Sequence, residues 1–260
     1  MNALKDFAKL ILPEAYFTWR KMAHIKRVRS EYNTPGTKQL CNICGKGFER
    51  FAPFHGYPNR MCPNCLSLER HRILYYYLSH ETSMLSQTGG LSILHFAPEK
   101  SLYDTINSIE GVRYETADLM IQFMPDIEVE PKHKMSITDI EFPDESFDYF
   151  ISNHVLEHVP NDAEAMQEIY RVLKPGGSAL LQVPINDGAT ETLEDPNLTR
   201  LQRREQYGAQ DHLRYYAKDD FADRLRAQGF TRVDALEFTD KMDPTLYSIN
   251  PYDILFVCEK

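Results

Sequence analysis

Residues 147–184, reading FDYFISNHVLEHVPNDAEAMQEIYRVLKPGGSALLQVP, leave few folds open to this chain. Phe147 to Ser152 is a short apolar and aromatic run of the kind that makes a buried strand. From Asp162 to Leu173, Ala165, Ile169, Val172 and Leu173 recur at helical spacing, with Asn161 or Asp162 placed to cap the N-terminus. Pro175-Gly176-Gly177 breaks that helix, and Ala179 to Val183 reads as a second buried strand. The unit is strand–helix–strand, and His154, Glu157 and His158 follow the exit of its first strand. Ligands of open parallel sheets bind outside the carboxyl ends of the strands, which is where these three residues fall.

FDYFISNHVLEHVPND followed by RVLKPGGSALLQVP closely resembles the fourth and fifth strands of class I S-adenosylmethionine-dependent methyltransferases of the type 11 group. The resemblance runs from about Leu91 to Glu259 and rests on VLEHV together with LKPGG. It implies an α/β fold, a Rossmann-like seven-stranded and mostly parallel sheet with helices on both faces. It also implies the cofactor S-adenosylmethionine and a set of residues to hold it. After a first strand at Leu91–Phe96, the cofactor loop is His95, Phe96, Ala97, Pro98 and Glu99. This loop departs from the family, because Ala97 and Glu99 stand where glycines are usual and His95 where an acid is usual. Glu99 is then the expected acceptor for the methionine ammonium. His95 is either a cofactor contact or a satisfied core histidine. Asp118 ends the second strand, Val112–Ala117, where an acid can accept both ribose hydroxyls. Lys134–Ile137 is the expected third strand. Ser136 aligns there with the family's adenine-facing acid, so Ile137 backbone groups or Asp139 must serve instead. Asn153 and His154 complete the set at the exit of the fourth strand.

The front of the chain carries a second signature. Cys41-Asn-Ile-Cys44 and Cys62-Pro-Asn-Cys65 are separated by 17 residues, the spacing of four-cysteine zinc sites. Each pair must turn tightly to aim both thiolates at one ion, and Gly45 and Pro63 suit those turns. Four thiolates leave no open coordination position, so a zinc ion here is expected to be structural. His55 and His71 are nearby substitutes that four cysteines do not need. Cys258 sits in an apolar terminal strand and reads as a buried thiol. The expected organisation is a basic helical segment and linker at 1–38, a zinc-ribbon-like module with its connecting helix at 39–80, and the methyltransferase domain at 88–260. Residues 185–216, too polar for core, form the expected substrate lid.

Charge separates the regions. Residues 1–38 hold eight Lys or Arg against three acids, net +5, while the whole chain carries −9, which leaves −14 for the rest. An acidic main domain weighs against nucleic acid as partner. The basic helix either docks on the protein or, through residues 1–30, touches an anionic membrane surface. No long apolar run and no leader pattern is present, and the expected location is cytoplasmic.

His154, Glu157 and His158 stand at i, i+3 and i+4, one face of a helix if the segment is helical. With His212 from the lid they form a candidate catalytic group, read either as a general base for a hydroxyl acceptor or as ligands of a second, divalent ion. The reaction expected is O-methylation of a small hydroxylated acceptor, such as a sugar or glycan precursor. RNA methylation and a non-catalytic, degenerate methyltransferase fold are the alternatives.

Overall fold

A central sheet of six strands organises the computed structural model, which describes residues 14–86, 89–119, 129–250 and 252–260. Before the sheet come a helix α1 (Glu14–Tyr32) and two short antiparallel pairs, β1 (Pro35–Leu40) with β2 (Gly47–Phe48), and β3 (Ala52–Phe54) with β4 (Tyr57–Met61). Helix α2 (Glu69–His80) then leads to β5 (Ser92–Phe96), α3 (Lys100–Asn107), β6 (Arg113–Ala117) and β7 (Phe147–Asn153). After a single 3-10 turn at Leu156–His158 follow α4 (Asp162–Val172) and β8 (Leu173–Gln182). The chain closes with β9 (Leu193–Glu194), α5 (Arg200–Tyr207), β10 (Arg214–Tyr215), α6 (Lys218–Ala227), β11 (Arg232–Leu236) and β12 (Leu255–Glu259).

The sheet order is β11-β12-β8-β7-β5-β6, with β6, β5, β7 and β8 parallel and β12 antiparallel to both neighbours. The expected seventh strand is missing among the described residues. At Lys134–Ile137 the backbone makes one parallel bridge, His133 to Ala117, and then turns. Ser136 uses its hydroxyl on the Thr138 amide (3.2 Å) and its carbonyl on the Asp139 amide (3.1 Å). Those polar groups are spent on a local turn and cannot extend a ladder along β6.

Alternate residues of each central strand enter opposite core layers, as a strand's two-residue period requires. Leu94, Phe96, Phe150, Ala179, Leu181 and Phe256 meet α4 and α6 through Met166, Ile169, Phe221 and Leu225. Ile93, Ile151, Leu180 and Leu255 face the other way, against Ile73, Leu74 and Leu78 of α2 and Leu102 and Ile106 of α3. Both faces are thus covered, and each such fully buried aliphatic contributes about 1.5–3 kcal/mol. In α4, Asn161 caps the first turn by accepting the Glu164 amide at 3.3 Å. The Pro-Gly-Gly that follows does end the helix, but β8 runs through it from Leu173 onward. Gly177 is required there, since a Cβ would lie 2.9 Å from the Lys174 carbonyl oxygen and 3.1 Å from those of Phe147 and Asp148. Cys258 is buried in β12.

At the front, Asn33–Lys38, the Pro35-Gly36 end of the 1–38 segment that composition marks as its linker, is mostly strand β1. Gly36 permits this pairing, because a Cβ at that position would meet the Glu49 amide nitrogen at 2.6 Å. The second half of α1 lies on the module, burying Ile25 and Val28 with Ala52, Met61, Leu66 and Leu68. Residues 1–13, part of the basic segment, and 120–128 of the Met-rich stretch after Asp118 lie outside the described residues.

Arg72 joins module and sheet. Its guanidinium has no solvent exposure and donates to Ser67 O (2.8 Å), Arg60 O (3.0 Å), Tyr247 O (2.7 Å) and Ser248 O (2.7 Å), the last two in the connection between β11 and β12. It also stacks over Phe51, 4.8 Å from the ring centroid. A lysine cannot reproduce a planar fork that reaches four carbonyls. Arg72→Ala is expected to cost about 3–5 kcal/mol, since it orphans several buried carbonyls at once. Thermal unfolding should show a midpoint lower on the order of 10 °C, with Arg72→Lys recovering less than half. A midpoint within 2 °C of wild type (~0.5–1 kcal/mol) would refute this role.

Candidate active site

The sheet reverses its winding direction between β5 and β7, the place where open α/β sheets receive ligands. β5 ends on His95 and Phe96, and Ala97 follows in the left-handed region (φ 51°), its amide bonded to Ala117 O at 2.8 Å. After Pro98, Glu99 is the N-cap residue of α3. Its carboxylate stands 3.1 Å from His71 Nε2 and 3.2 Å from His95 Nε2, and it accepts from Asn153 Nδ2 at 3.2 Å. Burial pushes Glu99 upward, but the adjacent His71 and then His95 side chains outweigh it and hold the carboxyl well below its ordinary value. His71 belongs to α2. Its Nδ1 accepts the Leu68 amide at 3.1 Å, which fixes the tautomer and leaves Nε2–H facing Glu99. Burial lowers its pKa to about 4, so it is neutral at neutral pH. His95 is fully buried, with Nδ1 2.8 Å from Tyr114 OH.

Asp118 follows β6, and the register Phe96↔Ala117 puts it level with Ala97 across the paired strands. Ser136, Ile137 and Asp139 occupy the edge turn described above, with Ile137 buried. At the exit of β7 and β8 the side chains of Ser152, Asn153 and Gln182 are 2–4% exposed. Ser152 Oγ, Asn153 Oδ1 and both Gln182 amide atoms have no partner among the described residues. Buried polar atoms are rarely left so, and four of them on the ends of two neighbouring strands are suited to a polar ligand.

The histidine group assembles differently from the helical face expected. Only Leu156–His158 forms a turn, and His154 precedes it at φ 54°, its amide bonded to Gln182 O at 2.8 Å. A non-glycine residue held there costs on the order of 1–3 kcal/mol, which the β8 bond offsets. Glu157, fully buried, lies 3.2 Å from His154 Nδ1 and 3.9 Å from both His158 Nε2 and His212 Nε2. Glu157, His158 and His212 offer ligand atoms within 4.8 Å of one another; His154 is not part of that set. His158 Nδ1 is 3.2 Å from Asp211 O and His212 Nδ1 is 2.8 Å from Tyr207 O. A carbonyl can only accept, so each Nδ1 carries the proton and each Nε2 presents a lone pair. Neither Glu157 oxygen has a hydrogen-bond partner among the described residues. Burial pushes Glu157 upward, while the adjacent His154 at 3.2 Å, with His158 and His212, brings it net below the usual carboxylate value.

Arg214 holds this turn in place. It is buried and donates to Leu156 O (3.0 Å), Val159 O (2.5 Å), Pro160 O (3.0 Å) and Glu194 Oε1 (2.6 Å). The Leu213 amide bonds Glu157 O at 2.8 Å, and β9 pairs with β10, so the segment after β8 is a folded flap clamped to the histidine turn. Sequence reading missed Arg214, whose only signal was an arginine among aromatic residues in a polar segment. It missed His71 on Glu99 as well, having marked that histidine only as a spare metal ligand.

In the module, the Sγ atoms of Cys41, Cys44, Cys62 and Cys65 all lie within 4.8 Å of one another, with Cys41–Cys65 at 3.5 Å and Cys44–Cys62 at 3.8 Å. None is in a disulfide. Thiolates 2.3 Å from a tetrahedral ion stand about 3.8 Å apart, so the donors fit a metal of that geometry. Ser67 Oγ is 3.3 Å from Cys41 and Cys65 and is tied to Arg72.

Residues 108–181 match the sequence model of a family described as methyltransferase domain. A stretch of 57 residues is 40% identical to phosphoethanolamine N-methyltransferase 2 of Caenorhabditis elegans, covering 21% of this chain and 13% of that protein. Another of 39 residues is 49% identical to demethylmenaquinone methyltransferase of Listeria welshimeri, 15% of this chain and 16% of that one. The chain therefore spans only a small part of either relative's length. Among solved structures, an S-adenosylmethionine-dependent methyltransferase from Archaeoglobus fulgidus superposes with a TM-score of 0.50 at 14% identity, over 74% of this chain and 94% of its own. The shared architecture is the Rossmann-like methyltransferase fold, here with a mainly parallel six-stranded sheet.

Proposed function

We propose that this protein is an S-adenosylmethionine-dependent methyltransferase acting on oxygen of a small hydroxylated acceptor, such as a sugar or glycan precursor. The observation that carries the reading is the group of partnerless buried polar atoms on Ser152, Asn153 and Gln182 at the strand ends, with Asp118 across the switch point. The match of residues 108–181 to the methyltransferase-domain model supports it. Asp118 would take the ribose hydroxyls, and Ser136, Ile137 and Asp139 would border the adenine. His95, Phe96, Ala97, Pro98 and Glu99 would line the methionine end, with Asn153 and His154 opposite. Glu99 keeps its negative charge beside His71, His95 and Asn153, as an acceptor for an ammonium must.

When bound, the cofactor supplies an activated methyl group on a sulfonium. The chain's part is to align an acceptor oxygen with that methyl and exclude water. A hydroxyl must also lose its proton, and the free Nε2 lone pairs of His158 and His212 beside Glu157 can take it. The same lone pairs next to a partnerless carboxylate favour a second reading, in which Glu157, His158 and His212, with His154 beside them, hold a divalent ion that binds the acceptor's hydroxyls. We assign zinc to the four cysteines in a structural role. Residues 1–30 are proposed to touch anionic membranes, an assignment favoured by the exposed Trp19 and Met22 on α1.

Calorimetry with S-adenosylmethionine and S-adenosylhomocysteine tests the central assignment. Both should bind wild type, and Asp118→Ala should weaken both at least about tenfold by removing the ribose acceptor, about 1.4 kcal/mol or more. No binding of either to wild type would sink the reading.

A further inference from the structure

We infer that the acceptor carries an oxyanion, a phosphoryl or carboxylate group, and that Arg70 on the first turn of α2 binds it. This rests on the methyltransferase reading and adds the class of acceptor. The first turn of α2 is wedged against the cofactor loop. His71 reaches Glu99 (3.1 Å), Glu99 reaches Asn153 (3.2 Å), and the next residue is His154. The four-cysteine module therefore forms one wall of the space into which the strand ends open.

Along this turn the charged residues differ in how they are spent. Glu69 is ion-paired to Arg60, His71 is on Glu99, and Arg72 is consumed by backbone carbonyls. Among the described residues Arg70 has no hydrogen-bond or ion-pair partner; its Nε is buried without one, and the side chain is half-buried. The charge is felt on both sides of the opening. Burial lowers His154 most, with Arg70 next, and His55 of the module is lowered by burial and then by Arg60 and Arg70. Asp253 is an acid within its influence, raised to about 6 by burial and drawn down by Arg70, but among the described residues the two form no ion pair.

A half-buried guanidinium without a partner is costly unless something arrives to pair with it. The planar fork suits a two-oxygen contact from phosphate or carboxylate. The setting strengthens the point. Residues 39–260 are net −14 and repel anions at large, so an anionic acceptor needs a placed cation. Arg70 adjoins His71 on Glu99, Glu99 meets Asn153 beside His154, and the Arg70 charge acts on His154, so an acceptor held by its oxyanion would lie within reach of that histidine.

The test is calorimetry on the full-length protein saturated with S-adenosylhomocysteine, titrated with inorganic phosphate and, separately, with acetate. Wild type should bind at least one of them saturably, and which one it binds separates a phosphoryl from a carboxylate acceptor. Arg70→Gln should weaken that binding at least tenfold and Arg70→Lys should fall between. Both variants should keep the wild-type thermal midpoint and bind S-adenosylhomocysteine within twofold of wild type. Binding of S-adenosylhomocysteine without saturable binding of either anion overturns the inference alone, as does anion binding unchanged in Arg70→Gln. Failure of wild type to bind S-adenosylhomocysteine overturns the methyltransferase reading, and this inference with it.

Discussion

Purified protein is expected to carry about one zinc per chain, and losing that metal should unfold the module and loosen the cofactor site with it. Replacing Cys41 and Cys62 by Ser removes two of four thiolates whose partners stand at 3.5 and 3.8 Å. Structural zinc contributes apparent binding energies of about 10–16 kcal/mol to small domains, more than the short pairs β1–β2 and β3–β4 can replace. The effect travels because Ser67 links the cysteines to Arg72, and the neighbouring His71 contacts Glu99. Limited proteolysis should cut residues 35–68 first, and affinity for S-adenosylhomocysteine should fall at least about tenfold. Absence of zinc from the native protein, or proteolysis and affinity unchanged in the double variant, would overturn this assignment.

Glu157→Gln should lower methyl transfer about 10²–10⁴-fold while leaving cofactor affinity near wild type. The carboxylate is fully buried, has no hydrogen-bond partner among the described residues and is surrounded by three histidines, so its charge rather than its shape is the feature at stake. Transfer of labelled methyl from S-adenosylmethionine into a panel of hydroxylated, phosphorylated and carboxylated small acceptors is the readout. Addition of EDTA separates the two readings of the group. A base needs no metal, whereas a chelate loses activity and regains it with added Mg²⁺ or Mn²⁺. Unchanged transfer in Glu157→Gln, and in both His154→Ala and His158→Ala, would remove this group from the chemistry.

The unit β7–α4–β8 was legible because its signals are local: an apolar run, helical spacing with Asn161 as cap, and glycines where backbones approach. The cysteine cluster was legible for the same reason, since two short turns carry the donors. Lys134–Ile137 misled because a short run of mixed residues has no period strong enough to tell a strand from a turn, and the Ser136 hydroxyl decided for the turn. Asn33–Lys38 misled in the opposite sense. Pro35-Gly36 marks a linker by composition, yet Gly36 is what admits the close strand pairing.

By itself the sequence determined the parallel α/β core, the strand ends where the proposed ligand site lies, and the four-thiol cluster. Tertiary structure alone decided which side chains share that ligand site. Arg72 bonds Ser248 across 176 residues, Arg214 bonds Leu156 across 58, and His71 on the module's helix meets Glu99 of the cofactor loop. Contacts of that range follow from how helices pack on a twisted sheet, and no local period or spacing encodes them.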